Sequence, residues 1–270
     1  MLLGLLGALG SLGAMVTMEH ESFASLLLVG PVVFVLGATV SVGVAGSTLG
    51  DAIDAFKGVP VAFRGKRPDF GALIERLGEL ADTARQRGLL ALEDDIAAID
   101  DPFLSSALQG VADGTDSADL RALLEDQEAT WSKAHRGSSA FFASLGGYAP
   151  TIGIVGTVVS LTHVLGNLST PDKLGPMIAS AFIATLWGLL SANFLWLPIS
   201  TRMRRLADIE VERMDLIIEA VLAIQAGSGS RALGERLKAM VPARAVAGKK
   251  KAAKSDAAPI GAETSAPVAP

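Results

Sequence analysis

Two adjoining segments decide the fold: GSSAFFASLGGYAPTIGIVGTVVSLTHVLGNLSTP, residues 137–171, and LGPMIASAFIATLWGLLSANFLWLPIST, residues 174–201. Neither segment contains Asp, Glu, Lys or Arg, and their one histidine is His163. An α-helix needs about 20 consecutive, mostly apolar residues to cross the hydrocarbon core of a bilayer. Both segments are therefore predicted to be transmembrane helices joined by a short link.

Two further segments without charged side chains lie at the start of the chain, residues 1–18 and 22–50. The first is just long enough to span a bilayer as a helix, and it lacks the basic start and small-residue cleavage pattern of a secretory signal. We therefore predict an all-α membrane protein. It has four transmembrane helices, with a helical cytoplasmic domain inserted between the second and third spans.

The distribution of basic residues predicts the orientation in the membrane. Of 23 Lys and Arg residues, ten lie within residues 57–136 and twelve within residues 202–254, while Lys173 lies in the link between spans three and four. Basic residues accumulate on the cytoplasmic side of membrane proteins. The chain is thus predicted to be a multi-pass protein of the cell (inner) membrane with both termini in the cytoplasm.

These patterns predict five regions. They are a transmembrane hairpin at 1–48, a cytoplasmic helical domain at 49–136, a second transmembrane hairpin at 137–201, a cytoplasmic helical extension at 202–241 and a disordered tail at 242–270. The tail is rich in Ala, Pro and Lys and has little periodicity.

Helix signals support the cytoplasmic assignments. Apolar residues recur at helical spacing between Phe70 and Ala84. Asp101 followed by Pro102 predicts a helix start, and Asp116 with Ser117 predicts another. Gly227 is the predicted stop of the helix that follows span four.

The chain has no recognisable catalytic or metal-binding pattern. It has no cysteine, its three histidines lie in different segments, and it contains no phosphate-binding loop or nucleophile elbow. Mixed acidic and basic residues with a net charge of −5 do not indicate nucleic-acid binding. We predict a protein that is not an enzyme and binds no metal or cofactor.

The transmembrane segments lack the ionisable groups that mark ion routes in membranes. Either the protein moves no ions, or a partner supplies the protonatable group. Spans three and four do carry many hydroxyl groups, which either bond to their own helix or form a polar lining. Small residues such as Gly153 and Gly156, and Gly4, Gly7, Gly10 and Gly13 in span one, suit close helix packing.

The strings YAPTIGIVGTVVSLTHVLGNL and LGPMIASAFIATLWGLLSANFLWLPI resemble spans three and four of the MotA family, the ring-forming stator proteins of the flagellar motor. RQRGLLALED and DPFLSSALQGVADGTD resemble the cytoplasmic loop of that family. The resemblance covers roughly residues 22–213. It implies a subunit that converts ion-motive force into torque, so it predicts roles in chemotaxis and flagellar rotation.

The resemblance also implies partners. MotB would supply the ion-carrying aspartate and the peptidoglycan anchor, inside a homopentamer of this chain around a MotB dimer. The rotor protein FliG would be the target of the cytoplasmic charges. The ion would be H+, with Na+ as the alternative.

Family positions transfer to particular residues here. Arg85 and Glu93 match the charged pair that faces the rotor, and lie about 80° apart if both are on one ideal helix. The prolines that couple ion flow to conformational change are matched by Pro150 and Pro198. Three residues match the lining of the ion path: Thr157, Thr185 and, where sodium-driven relatives tend to have a further threonine, Ala184.

Two other classes remain as alternatives. An energiser subunit of the ExbB/TolQ type drives an outer-membrane process with a similar ring, but such proteins usually have three spans. The predicted hairpin at the start of this chain favours the stator. A self-contained transporter would show broken helices or charges at the membrane midplane, and a passive scaffold would tolerate loss of Thr185 or Pro198.

Overall fold

The computed structural model describes residues 2–20, 23–65 and 67–243, and all regular structure in these ranges is helical. This confirms the predicted all-α class. In chain order the elements are α1 (Leu2–Met18), α2 (Phe23–Leu26), α3 (Val29–Ala45), α4 (Leu49–Arg64), α5 (Phe70–Arg87), a 3₁₀ turn (Leu89–Ala91), α6 (Leu92–Ile96), α7 (Pro102–Ala112), α8 (Ser117–Gly166), α9 (Pro171–Leu190), a π-helical turn (Ser191–Trp196), α10 (Leu197–Gln225) and α11 (Ser230–Met240).

Two helical segments of the described chain are long and apolar enough to cross a membrane. One is α8, with 50 residues, and the other is the continuous run Leu174–Gln225, with 52 residues. Helices α1 and α3 are apolar but shorter, with 17 residues each. Pro150 lies inside α8 without ending it.

The second charge-free segment is divided in the structure. Leu27 and Leu28 are not helical, and α3 starts immediately before Gly30 and Pro31. Proline lacks an N–H and is best tolerated in the first turn of a helix, so Pro31 suits the helix start at Val29. Thr48 then caps α4 by accepting a hydrogen bond from the N–H of Asp51.

A hydrogen bond from α9 compensates for this break. The indole Nε1 of Trp187 donates to the carbonyl oxygen of Leu26 at 2.7 Å. Inside a bilayer an unpaired backbone carbonyl is costly because no water is present to bond it. Trp187 therefore stabilises the non-helical joint between α2 and α3.

The chain forms two compact units. The first comprises Met1–Arg67 and Ala129–Glu210. In its core Phe142 is fully buried, stacks on Trp196 at 6.3 Å between ring centroids, and meets the edge of Phe56 at 5.5 Å. Small side chains from α4 complete this core: Ala52, Ala55 and Ala62.

The second unit comprises Pro68–Glu128 and the residues from Val211 onward. The predicted apolar stripe of α5 is confirmed, because Leu77 and Leu80 are fully buried. Burying a leucine side chain contributes about 1.5–3 kcal/mol relative to leaving it in water. Helix α11 packs on α5 and buries Leu233 and Leu237.

The predicted caps of this unit are also confirmed. The Asp101 carboxylate accepts hydrogen bonds from the N–H groups of Phe103 and Leu104 at the start of α7. It also pairs with Arg213. Gly227 has φ +76° directly after α10, as a helix stop requires. The predicted tail lies outside the described residues, apart from Pro242 and Ala243.

Candidate functional sites

The two threonines that match ion-path positions lie together in the first unit. Thr157 is on α8 and Thr185 on α9, both are half-buried, and their hydroxyl oxygens are 2.5 Å apart. The Thr157 oxygen also lies 3.1 Å from the carbonyl oxygens of Gly153 and Ala181. The two hydroxyls and the two carbonyls form one polar cluster between the helices.

The cluster offers more acceptors than it has hydroxyl protons. Each threonine hydroxyl has one proton and two lone pairs, whereas a carbonyl only accepts. Either threonine can be the donor between the two hydroxyls, and the carbonyls of Gly153 and Ala181 are further acceptors for Thr157. In either direction the two hydroxyls keep lone pairs that accept no bond within the cluster.

The backbones of α8 and α9 approach closely beside this cluster. An ideal Cβ placed on Gly188 would lie 2.7 Å from the carbonyl oxygen of Ala149 and 3.1 Å from the Cα of Gly153. A Cβ on Gly153 would lie 2.9 Å from the carbonyl oxygen of Ala184. The prediction of close packing at Gly153 and Gly156 is confirmed. The span-one glycines Gly4, Gly7 and Gly10 instead face open space within the described chain.

Ala184 belongs to this helix contact. Its side chain is 1% exposed, and its Cβ lies 3.0 Å from the position that a Cβ on Gly156 would take. Thr185, the next residue, is turned toward Thr157. Within a single chain, position 184 therefore packs against α8 while position 185 presents its hydroxyl.

The two prolines occupy different local structures. Pro150 is half-buried within α8, one turn before Gly153. Pro198 is half-buried at the second residue of α10, two residues after the last residue of the π-helical turn, Trp196. Because Pro198 has no N–H, it leaves a preceding carbonyl without a helical donor, and such wide turns locally relax the helix.

Polar side chains at the π-helical turn bond to nearby carbonyls. The Ser191 hydroxyl donates to the carbonyl of Gly188 at 3.2 Å, and the Asn193 amide donates to that of Leu189 at 2.9 Å. Sequence reasoning missed this turn. The combination of Ser191, Asn193 and Pro198 within eight residues was the available signal.

Arg85 and Glu93 lie in the second unit, on separate helices. Helix α5 ends at Arg87, and Gly88 reverses the backbone with φ +89°, so the angle expected for a single helix does not apply. Arg85 is in the last turn of α5 and Glu93 in the first turn of α6. Each charge suits the partial charge of its helix end.

Both side chains are exposed, and neither forms an ion pair within the described residues. Their neighbours are paired: Arg87 lies 3.6 Å from Asp94, and Arg76 lies 3.1 Å from Asp95. Arg85 and Glu93 thus present uncompensated charges of opposite sign next to residues whose charges are balanced internally. Such charges remain available to a partner.

One acidic side chain of the second unit, Asp215 on α10, has a perturbed pKa. It lies outside the charge-free segment that ends at Thr201. Asp215 is exposed, but partial desolvation raises its pKa, and the carboxylates of Glu125, Glu212 and Glu219 raise it further. Glu219 is itself neutralised by Arg121 and Arg236. No group of three or more His, Cys, Asp or Glu side chains suited to a metal ion occurs among the described residues.

Comparison with known proteins places these features in context. Residues 95–216 match the family model described as the MotA/TolQ/ExbB proton channel family. The chain is 30% identical to motility protein A of Bacillus subtilis over 248 residues, which cover 90% of both chains.

Two solved structures are also similar to this chain. The flagellar MotAB stator complex of Bacillus subtilis matches with a TM-score of 0.84 and 29% identity, over 90% of this chain and 96% of that chain. The MotAB structure of C. jejuni matches with a TM-score of 0.86 and 25% identity, over 89% of this chain and 94% of that chain.

Proposed function

Because the chain belongs to the MotA/TolQ/ExbB proton channel family, on its motility protein A branch, we propose that it is a flagellar motor stator subunit. It works with a MotB-type partner and converts ion-motive force into torque, without enzymatic chemistry. The observation that carries this conclusion is the match to a MotAB stator complex along 90% of the chain.

In the membrane, we propose four spans. They are α1, α2 with α3, the part of α8 after Arg136, and α9 together with the residues up to Thr201. The basic segments on either side of spans three and four support a cytoplasmic location for both termini and the inserted helical domain, in a protein of the cell (inner) membrane. The short links within each pair of spans then face outward. The five predicted regions keep their limits in this arrangement.

The polar cluster of Thr157 and Thr185 is the proposed ion-path lining. The spans hold no Asp, Glu, Lys or Arg, so the ion-carrying carboxylate comes from MotB. Two hydroxyls bonded to each other offer few free oxygens, and a partly dehydrated Na+ needs several oxygen ligands. We therefore favour H+ as the transported ion, with the alanine at position 184 in keeping with that preference.

Arg85 and Glu93 are proposed to contact FliG and to transmit torque to it. The uncompensated charges of both side chains support this assignment. Pro150 and Pro198 are the proposed coupling points, and the π-helical turn beside Pro198 gives that helix a place to bend. The assembly is proposed to be a homopentamer around a MotB dimer.

An ExbB/TolQ-type energiser is the alternative within the same family. The similarity to motility protein A of Bacillus subtilis and to the MotAB structures favours the stator. The apolar helices α1 and α3 at the start of the chain do so as well, because energisers usually have a single span there.

Rotation of tethered cells tests the proposal. Deleting the gene should leave filaments that do not turn, and wild-type protein should restore rotation. Arg85→Glu or Glu93→Lys should impair rotation while the complex still assembles, whereas Lys238→Glu, at an exposed lysine of the same unit, should not. Normal rotation of the deletion strain would refute the stator and favour the energiser.

A further inference from the structure

Gly229 lies directly before helix α11, at the N-cap position. It has φ −78° and ψ 152°, which any residue adopts, and it forms no side-chain cap. The usual N-cap residues, Ser, Thr, Asp and Asn, bond the free N–H groups of the first turn. Backbone conformation therefore does not explain the glycine at this position.

The neighbour of Gly229 in space is Arg85. An ideal Cβ at this position would lie 2.8 Å from Nη1 of Arg85 and 3.9 Å from its Cζ. Real Cβ atoms essentially never come as close as 2.8 Å, so another side chain would require the guanidinium, the flexible end of Arg85, to shift. The charged end of Arg85 thus lies in the space that a side chain at position 229 would occupy.

Helix α11 is held in place independently of Arg85. Leu233 and Leu237 are buried against the rest of the unit, and Arg236 pairs with Glu219 of α10. Glu219 also pairs with Arg121 of α8 at 3.0 Å. Because α11 is fixed at these points, its N-cap residue Gly229 lies at a defined position beside Arg85.

We propose that Gly229 is a positioning residue for the rotor-contact charge. By lacking a side chain, it leaves room for the guanidinium of Arg85 beside the start of α11 and gives it no neutralising partner. This inference rests on the proposed contact between Arg85 and the rotor. An aspartate at position 229 would be the strongest disruption, because it would fill the space and pair with Arg85.

Gly229→Asp separates this role from a structural one. Aspartate caps the first turn of α11 and suits the positive end of its dipole, so the melting temperature of the purified complex with MotB should stay the same or rise. Rotation of tethered cells should nevertheless fall to the level of Arg85→Ala. Gly229→Ala should cause a smaller loss, because it displaces the guanidinium without neutralising it.

A double-mutant comparison shows whether the effect acts through Arg85. Combined with Arg85→Ala, the Gly229→Asp change should cause no further loss of rotation. Gly234→Ala provides the matched control on α11, since a Cβ there meets no atom within 4 Å, and it should rotate as the wild type does.

Two outcomes would overturn the inference in distinguishable ways. If Arg85→Ala impairs rotation but Gly229→Asp rotates normally, Gly229 does not position the charge and the proposed rotor contact stands. If Arg85→Ala itself rotates normally, the rotor contact fails and the inference fails with it.

Discussion

Thr157 and Thr185 are hydrogen-bonded to each other across α8 and α9 through their hydroxyl groups. The Thr157 oxygen also lies 3.1 Å from the carbonyl oxygens of Gly153, on its own helix, and of Ala181, on α9. Thr157 therefore contacts both helices, with or without the hydroxyl of Thr185.

Thr185→Val should leave the complex assembled but impair rotation. Valine keeps the shape of threonine and removes the hydroxyl, while Thr157 keeps its bonds to the carbonyls of Gly153 and Ala181. Co-purification with MotB would report assembly, and tethered-cell speed would report function. Thr162→Val is the control, because that exposed hydroxyl bonds only to its own helix at Val159. Equal rotation speeds for both variants would show that Thr185 is not part of the ion path.

Gly188→Ala should destabilise the chain by about 1–3 kcal/mol, the usual cost of overpacking. The added Cβ would meet backbone atoms of Ala149 and Gly153, which cannot move aside without separating the helices. The melting temperature of the complex in detergent measures this effect. Gly147→Ala, in open space on α8, should be neutral or stabilising. A wild-type melting temperature for Gly188→Ala would show that the helices do not pack as described.

Ala184→Thr should lower the stability of the complex rather than create a sodium site. The side chain at this position is buried against Gly156, so the added oxygen and methyl group have no space beside α8. Melting temperature and the dependence of swimming on sodium would test both parts. Ala179→Thr, at an exposed position of α9, is the control. Sodium-dependent swimming with undiminished stability would contradict the packing assigned to Ala184.

Asp215→Asn should raise stability at neutral pH. The pKa of Asp215 is raised in the folded chain above the ordinary value of 3.8, so folding favours the protonated form. The contribution of this group to stability is fully present below pH 3.8 and is lost as the pH rises through the raised pKa of the folded state. Asparagine removes that loss, and the melting temperature should therefore vary less with pH.

Measuring the melting temperature of the purified complex at several pH values above and below 3.8 would test the expected fall in stability with rising pH. Asp126→Asn, on α8, changes the net charge equally and should leave the pH dependence as it is. If both variants behaved alike, the effect would come from net charge and not from the local surroundings of Asp215.

Local signals predicted much of the fold. The caps at Asp101 and Gly227 were confirmed because each depends on atoms a few residues away. The division of the second charge-free segment and the π-helical turn before Pro198 were not predicted. Hydropathy averages over many residues and does not resolve where a helix breaks or widens.

The sequence by itself determined the helical class, the charge-free segments and, through resemblance, which residues to inspect. Tertiary structure alone decided which of them meet: Thr157 with Thr185, 28 residues apart, and the guanidinium of Arg85 with Gly229. The physical reason is that periodicity and charge act along a helix, whereas a hydrogen bond or a steric contact depends on how separate helices pack. The role of a glycine with ordinary φ and ψ angles, such as Gly229, can be inferred only when its neighbour in space is known.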